Sequence, residues 1–254
     1  MRPSQPQEQA LVLSFDKINA PAGAIEQRSS AIAYSAAGPK GPALPNNATL
    51  VLAHGAGAPQ QSSFMVDFAR GLAERGLDVL TFNFLYTEQR RRVPDRTEKL
   101  EACYRAAIAT AREHFGRDSV FIGGKSMGGR IATHLAAAED AEALGIAGVV
   151  LLGYPLHPPG KPEQLRAAHL PRIRVPMLLV QGERDPFGTP DELRPVLDPI
   201  AARVTLHVVE KGDHSLAPSR RAEAIASTYA ALQDLIASWL QEHVSDRPAA
   251  RGRR

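Results

Sequence analysis

One cysteine, Cys103, stands in 254 residues. That excludes an intramolecular disulfide framework and any multi-cysteine zinc or iron–sulfur site. The body of the chain also lacks a charge excess. Lysine and arginine number 30 against 27 acids, a net +3; Arg247, Arg251, Arg253 and Arg254 fall in the last eight residues with no acid among them, and without these four the balance is −1. The basic character therefore comes from the end of the chain, and a strongly basic nucleic-acid-binding domain is not supported. No apolar run approaches the roughly 20 residues of a membrane helix. The segment Met1–Gln9 is polar, holds two prolines and has no apolar core of the kind a secretory leader needs. There is no internal repeat, and no low-complexity block beyond the two ends.

What remains is ordinary for a soluble globular protein: 44% apolar and 22% charged residues. That much apolar surface argues against disorder of the whole chain. The expected setting is a cytoplasmic monomer or homodimer with no nucleic-acid partner and no membrane. The expected organisation is a flexible N-terminal tail over 1–10, one domain over 11–244 and a basic flexible tail over 245–254.

Short apolar runs alternate with longer amphipathic ones. Thr49–Ala53, Asp78–Phe84, Ser119–Ile122, Ala147–Leu152, Pro176–Val180 and Val204–Val209 read as strands covered by helices on both faces. Two weaker runs, Leu11–Phe15 and Ala31–Ser35, fit an antiparallel pair at the sheet edge, and Gly38–Asn47 reads as a loop. Between the runs lie four helical stripes. Met65, Phe68 and Leu72 form the first, ending near Gly76. Leu100, Cys103, Ala107, Ile108, Ala111 and Phe115 form the second. Met127, Ile131 and Leu135 form the third, and Ile225, Tyr229, Leu232, Ile236 and Leu240 the fourth. Cys103 lies on a stripe, so it reads as a buried small hydrophobe. Strand–helix alternation predicts an α/β fold with a mostly parallel sheet and helices on both faces. About twenty residues between Leu152 and Val175 leave no room for a large cap there.

The strongest motif is Gly124-Lys125-Ser126-Met127-Gly128. It fits G-x-S-x-G, follows a predicted strand and opens a predicted helix, which is the context that motif requires. Glycines two before and two after the serine allow strand and helix to approach closely. The serine is then presented at the carboxyl edge of the sheet, over a helix N-terminus whose dipole suits a developing oxyanion. A phosphate-binding loop would need a glycine five residues before Gly124, where Ser119 stands, and no G-x-G-x-x-G fits.

A serine needs a base, and the base an orienting group. His214 follows the last predicted strand, in Gly212-Asp213-His214-Ser215, and Asp185 follows the strand before it. The order Ser126, Asp185, His214 is the one expected for a hydrolase on such a sheet, with all three at strand exits. Asp213 adjoins His214 and is poorly placed to reach its far ring nitrogen, and Glu183 lies nearer the strand. His114, His134, His157, His169, His207 and His243 read as structural or surface residues. Backbone amides of Met127 and Ala56 are the candidate oxyanion donors, Ala56 lying in the small-residue turn His54-Gly55-Ala56-Gly57-Ala58. His54 reads as a brace for that turn.

These segments resemble the α/β-hydrolase family, and more narrowly the small capless hydrolases related to dienelactone hydrolases. They are particularly similar to the hydrolase-like domain of a regulatory subunit of the nonspecific-lethal chromatin complex and its bacterial relatives. The resemblance rests on Leu52-Ala53-His54-Gly55-Ala56-Gly57, Phe82-Asn83-Phe84-Leu85-Tyr86, Arg91-Arg92-Val93-Pro94-Asp95, Gly123 to Arg130, Gln181-Gly182-Glu183-Arg184-Asp185 and Gly212 to Ser215. It implies a single α/β-hydrolase domain and a Ser126–His214–Asp185 triad, with Ser126 where dienelactone hydrolases use a cysteine. The expected function is hydrolysis of a carboxylic ester or related acyl compound, without metal or organic cofactor. Thioesterase, lactonase or peptidase chemistry on the same triad is the alternative, and a non-catalytic interaction module is another. Tyr86, Arg91 and Arg92 follow a strand exit and are candidate substrate contacts. Consecutive arginines there suit an anionic group on a small acyl substrate; pairing with Glu88, Asp95 or Glu98 is the rival reading.

Overall fold

The computed structural model describes residues 6–15, 27–36, 48–117 and 119–245. Among the described residues eight strands form one sheet: β1 (Gln7–Phe15), β2 (Gln27–Ser35), β3 (Ala48–Ala53), β4 (Asp78–Phe82), β5 (Ser119–Lys125), β6 (Ile146–Leu152), β7 (Met177–Gly182) and β8 (Val204–Val209). Their order is β1-β2-β4-β3-β5-β6-β7-β8. The β1–β2 and β2–β4 pairs are antiparallel and the rest parallel. The α-helices among the described residues are α1 (Ser63–Ala73), α2 (Leu85–Glu88), α3 (Thr97–Phe115), α4 (Met127–Ala136), α5 (Pro190–Leu197) and α6 (Ala222–Ser245). No inserted cap interrupts this layered α/β architecture among the described residues; the stretch between β6 and β7 holds only a short 3₁₀ turn, Leu170–Arg172.

Alternation along the strands builds two cores. Val51 and Ala53 of β3 pack with Ile122, Leu151 and the α3 and α4 stripes on one face. Leu50 and Leu52 of the same strand pack with Phe68, Leu72, Trp239 and Leu240 of α1 and α6 on the other. A strand buried on both faces must be apolar at every position, which is why β3 and β6 read as unbroken runs.

The chain leaves β3 for β4 on one side, then crosses back to β5 on the other. Loops leaving the carboxyl ends of β3 and β5 therefore part in opposite directions and open a crevice between them. Tyr104, fully buried, braces the two strands just beneath it. Its hydroxyl accepts the Gly123 N–H at 2.9 Å and lies 2.8 Å from the Val51 carbonyl oxygen. Burial raises its pKa, so the phenol keeps the proton it donates there.

Some boundaries differ from expectation. The sheet edge begins at Gln7, inside the segment read as tail, and pairs in register with β2 from Gln7 opposite Ser35 to Phe15 opposite Gln27. Of β1 only Leu13 is buried. Ladder hydrogen bonds hold such an edge strand without an apolar pattern to reveal it. The Asp78–Phe84 strand stops at Phe82, and Phe84 is the N-cap of α2. The Gly38–Asn47 loop, residues 1–5 of the N-terminal tail and residues 246–254 of the basic tail lie outside the described residues. Among the described residues no helix is long and apolar enough to cross a membrane.

His169 sets a pH dependence of stability. Burial first, then His134, Arg172 and Arg130, push its pKa down to about 3. Below the ordinary histidine pKa of about 6.5 the unfolded chain takes up a proton that the folded chain refuses. Stability is therefore lost as pH falls from about 6.5 toward about 3. Urea unfolding is expected at lower midpoint at about pH 5 than at about pH 7.5, with a smaller difference in His169→Asn.

Candidate active site

β5 ends in a sharp turn at Ser126 (φ 51°, ψ −116°) before α4 begins. A non-glycine residue at this φ is strained, at a cost of order 1–3 kcal/mol. The flanking glycines make the turn sterically feasible. A Cβ on Gly124 would sit 2.5 Å from the Ala53 carbonyl oxygen, and one on Gly128 would sit 2.4 Å from the same atom. Strand, turn and helix can be this close only with glycine at both positions.

The structure brings Ser126, His214 and Asp185 together. His214 Nε2 lies 2.9 Å from Ser126 Oγ. His214 Nδ1 lies 2.8 Å from Asp185 Oδ2. A carboxylate can only accept, so Nδ1 carries the proton and Nε2 is left as acceptor for the serine hydroxyl. Asp185 is buried (1% exposed) and its acceptor sites are filled: Oδ1 takes the Phe187 N–H at 2.8 Å, and Oδ2 also takes a Gln181 amide proton at 2.9 Å. The Phe187 ring lies 4.2 Å from the imidazole and fixes its plane. The two rival acids are engaged elsewhere. Asp213 Oδ1 accepts the Ser215 and Ala217 N–H groups, and Glu183 accepts the Lys211 N–H.

This constellation opens into a cavity of about 860 Å³. Ser126, Met127, Gly55, Ala56 and His214 line it. Met127 is the first residue of α4, where an N–H has no partner within the helix. Ala56 is exposed in the turn after β3. His54, behind that turn, is fully buried. Its Nδ1 donates to the Gly55 carbonyl at 2.7 Å and its Nε2 accepts the Phe84 N–H at 3.1 Å. Burial lowers its pKa, which keeps the ring neutral in this bracing role.

The same turn-and-sheet plan recurs in known proteins. A family model described as an alpha/beta hydrolase domain matches residues 46–241. The chain belongs to the α/β-hydrolase domain family. Among solved structures it is similar to an alpha-beta serine hydrolase homologue from Coxiella burnetii, at 18% identity and TM-score 0.64, covering 91% of this chain and 97% of that one. It is similar to a dienelactone hydrolase from Anabaena variabilis, at 20% identity and TM-score 0.66, covering 94% and 99%. A serine hydrolase without a lid from Xanthomonas campestris matches at 17% identity and TM-score 0.63, covering 96% and 97%. At these identities the likeness shows the shared fold.

Within this α/β-hydrolase domain the other expected contacts fall differently. Tyr86 does not line the cavity; it is buried, and its hydroxyl donates to the Ala56 carbonyl at 3.0 Å, holding the turn from behind. Arg91 and Arg92 do not line it either. Asp95 Oδ1 draws Arg91 aside at 2.6 Å, with Gln89 on its Nε, and Arg92 is exposed. The arginines at the cavity are Arg96, Arg130 and Arg166. None of the six histidines read as structural lines the cavity. Cys103 is buried, and burial pushes its thiol up to about 12, as a small core residue and not a nucleophile. Among the described residues no group of three metal-ligating side chains converges.

Two functional residues escaped sequence reasoning. Gln181, fully buried, holds Asp185 while its carbonyl accepts the Tyr154 N–H at 2.8 Å. Its position four residues before Asp185, in a strand otherwise apolar, was the available signal. Lys125, half-buried, donates from Nζ to the His214 carbonyl at 2.6 Å. Burial pushes its pKa down to about 8, against the opposing charges of Asp185 and Asp213. The residue before Ser126 thus anchors the loop that carries His214. Lys125→Met is expected to lower kcat by about tenfold or more through lost alignment, with KM little changed and partial rescue in Lys125→Arg. Steady-state kinetics on a simple ester checks it.

Proposed function

We propose that the chain is a serine hydrolase that cleaves a carboxylic ester through an acyl-enzyme. The observation that carries this is the hydrogen-bonded series Ser126–His214–Asp185, at 2.9 and 2.8 Å, facing an open cavity. Ser126 Oγ attacks the acyl carbon while its proton passes to His214 Nε2. Asp185 holds the Nδ1–H tautomer and stabilises the imidazolium that forms. The carbonyl oxygen becomes an oxyanion, received by the Met127 and Ala56 amides, each worth about 3–4 kcal/mol in the transition state. The intermediate collapses, the C–O bond to the alcohol breaks, and His214 returns its proton to the leaving oxygen. Water then attacks the acyl-enzyme with His214 again as base, releasing the acid and restoring Ser126. No step draws on a metal or organic cofactor.

Ester cleavage fits a site whose cavity is open and lined by both apolar and polar side chains. Rates on an ester, a thioester and an amide of one acyl group test it. The ester is expected to have the highest kcat/KM, and Ser126→Ala to abolish its turnover. A thioester or amide turned over faster would reassign the bond cleaved, on the same residues.

A further inference from the structure

Two arginines line the cavity beside Ser126, and no carboxylate among the described residues pairs with either. Arg130 stands one turn into α4, its amide donating to the Ser126 carbonyl at 3.0 Å. Arg166 comes from the segment between β6 and β7. Its backbone is fixed on both sides: its N–H donates to the Leu156 carbonyl at 2.7 Å, and its own carbonyl accepts the Tyr154 hydroxyl at 2.7 Å. Both residues line the cavity and both are half-buried. Burial first, then the charge of Arg166, lowers the pKa of Arg130.

Several other half-buried or exposed arginines do meet an acid. Arg70 meets Glu8, Arg91 meets Asp95, Arg105 meets Asp140 and Arg117 meets Asp78. Among the described residues no acidic side chain pairs with Arg130 or Arg166. Asp95 is the one acid among the cavity-lining residues, and its Oδ1 is occupied by Arg91 and Lys99. Arg96 also lines the cavity but is exposed, where water screens its charge. Two cations lining one cavity, each partly out of water, are unfavourable until an anion joins them. Planar forks also match the paired oxygens of a carboxylate or phosphate.

We propose that Arg130 and Arg166 form an anion subsite, so that the substrate is an ester bearing a carboxylate or phosphate group. Its bearing on the reaction rests on the ester-hydrolysis reading above; the binding itself does not. Anion recognition thus moves from Arg91 and Arg92, the candidates the sequence offered, to two residues far apart in the chain.

Two readouts test it. The first is calorimetric titration of Ser126→Ala with glutarate and, separately, inorganic phosphate, which tells the two anion classes apart. At least one is expected to bind, and to weaken at least about tenfold when Arg130→Gln or Arg166→Gln is added. The second is the ratio of kcat/KM within matched ester pairs. Mono-4-nitrophenyl glutarate against its methyl ester places the charge on the acyl side; 4-acetoxybenzoate against its methyl ester places it on the leaving side. The charged member of one pair is expected to lead by at least about tenfold, and that lead to fall at least about tenfold in either variant. Arg130→Lys and Arg166→Lys, which keep the charge without the fork, guard against misfolding and are expected to lie between. Neutral esters turned over with no anion preference and no anion binding would overturn the subsite and leave hydrolysis standing. Binding or preference unchanged in all four variants would also overturn it. Anion binding lost in the arginine variants, with no ester turned over by the wild type, would support the subsite and overturn hydrolysis.

Discussion

Asp185→Asn is expected to lower kcat by about four orders of magnitude. Both oxygens of Asp185 only accept: one from Phe187 N–H, the other from His214 Nδ1–H and Gln181 Nε2. An asparagine must place its NH₂ at one of these positions. Facing Phe187, it sets donor against donor. Facing His214, it meets the Gln181 amide and forces the imidazole to accept at Nδ1. The proton then sits on Nε2, where the ring cannot take the serine proton. Either arrangement leaves a buried donor unpaired, and a loss of about 1–3 kcal/mol in stability accompanies the kinetic defect. Steady-state kinetics and urea unfolding measure the two effects on one sample.

Ser126 carries the second large effect, and its two substitutions separate reactivity from backbone strain. Ser126→Ala is expected to reduce kcat by about 10⁴- to 10⁶-fold, leaving only what the oxyanion donors and binding supply. Stability should change little, because the alanine Cβ keeps the strained φ of 51°. Ser126→Gly is expected to be as inactive but more stable than wild type, by about 1 kcal/mol, because glycine adopts this conformation freely. Denaturant midpoints of the three proteins check the ordering. Equal midpoints for Ser126→Gly and Ser126→Ala would show that the turn stores no strain.

The parts of this site legible in the sequence were those set by local rules. A G-x-S-x-G segment between a strand and a helix pattern must make a tight turn, and the close approaches at Gly124 and Gly128 are the physical reason. His214 and Asp185 were legible because both follow strands, and parallel strands in a hydrolase sheet present their carboxyl ends on one side. Side-chain partnership was not legible. Arg91 and Asp95 are four residues apart, yet nothing in that spacing tells whether the arginine turns to the acid or to the cavity; a 2.6 Å ion pair decides it. Arg166 lies in a segment with little regular structure, so no periodicity placed it at the cavity. The polar edge strand from Gln7 escaped for a related reason: its stability lies in backbone ladder bonds, which leave no apolar pattern. Helix α5 was missed despite a legible start, the capping box of Thr189 and Glu192, because it is short and contains Pro195.

The central claim is that Ser126 is activated by His214, and labelling with a fluorophosphonate probe tests it most directly. Peptide mass spectrometry of the labelled protein is expected to find one probe per chain, on Ser126, with labelling lost in both Ser126→Ala and His214→Ala. A folded wild-type protein that stays unlabelled, or a His214→Ala variant labelled as fast as wild type, would contradict it.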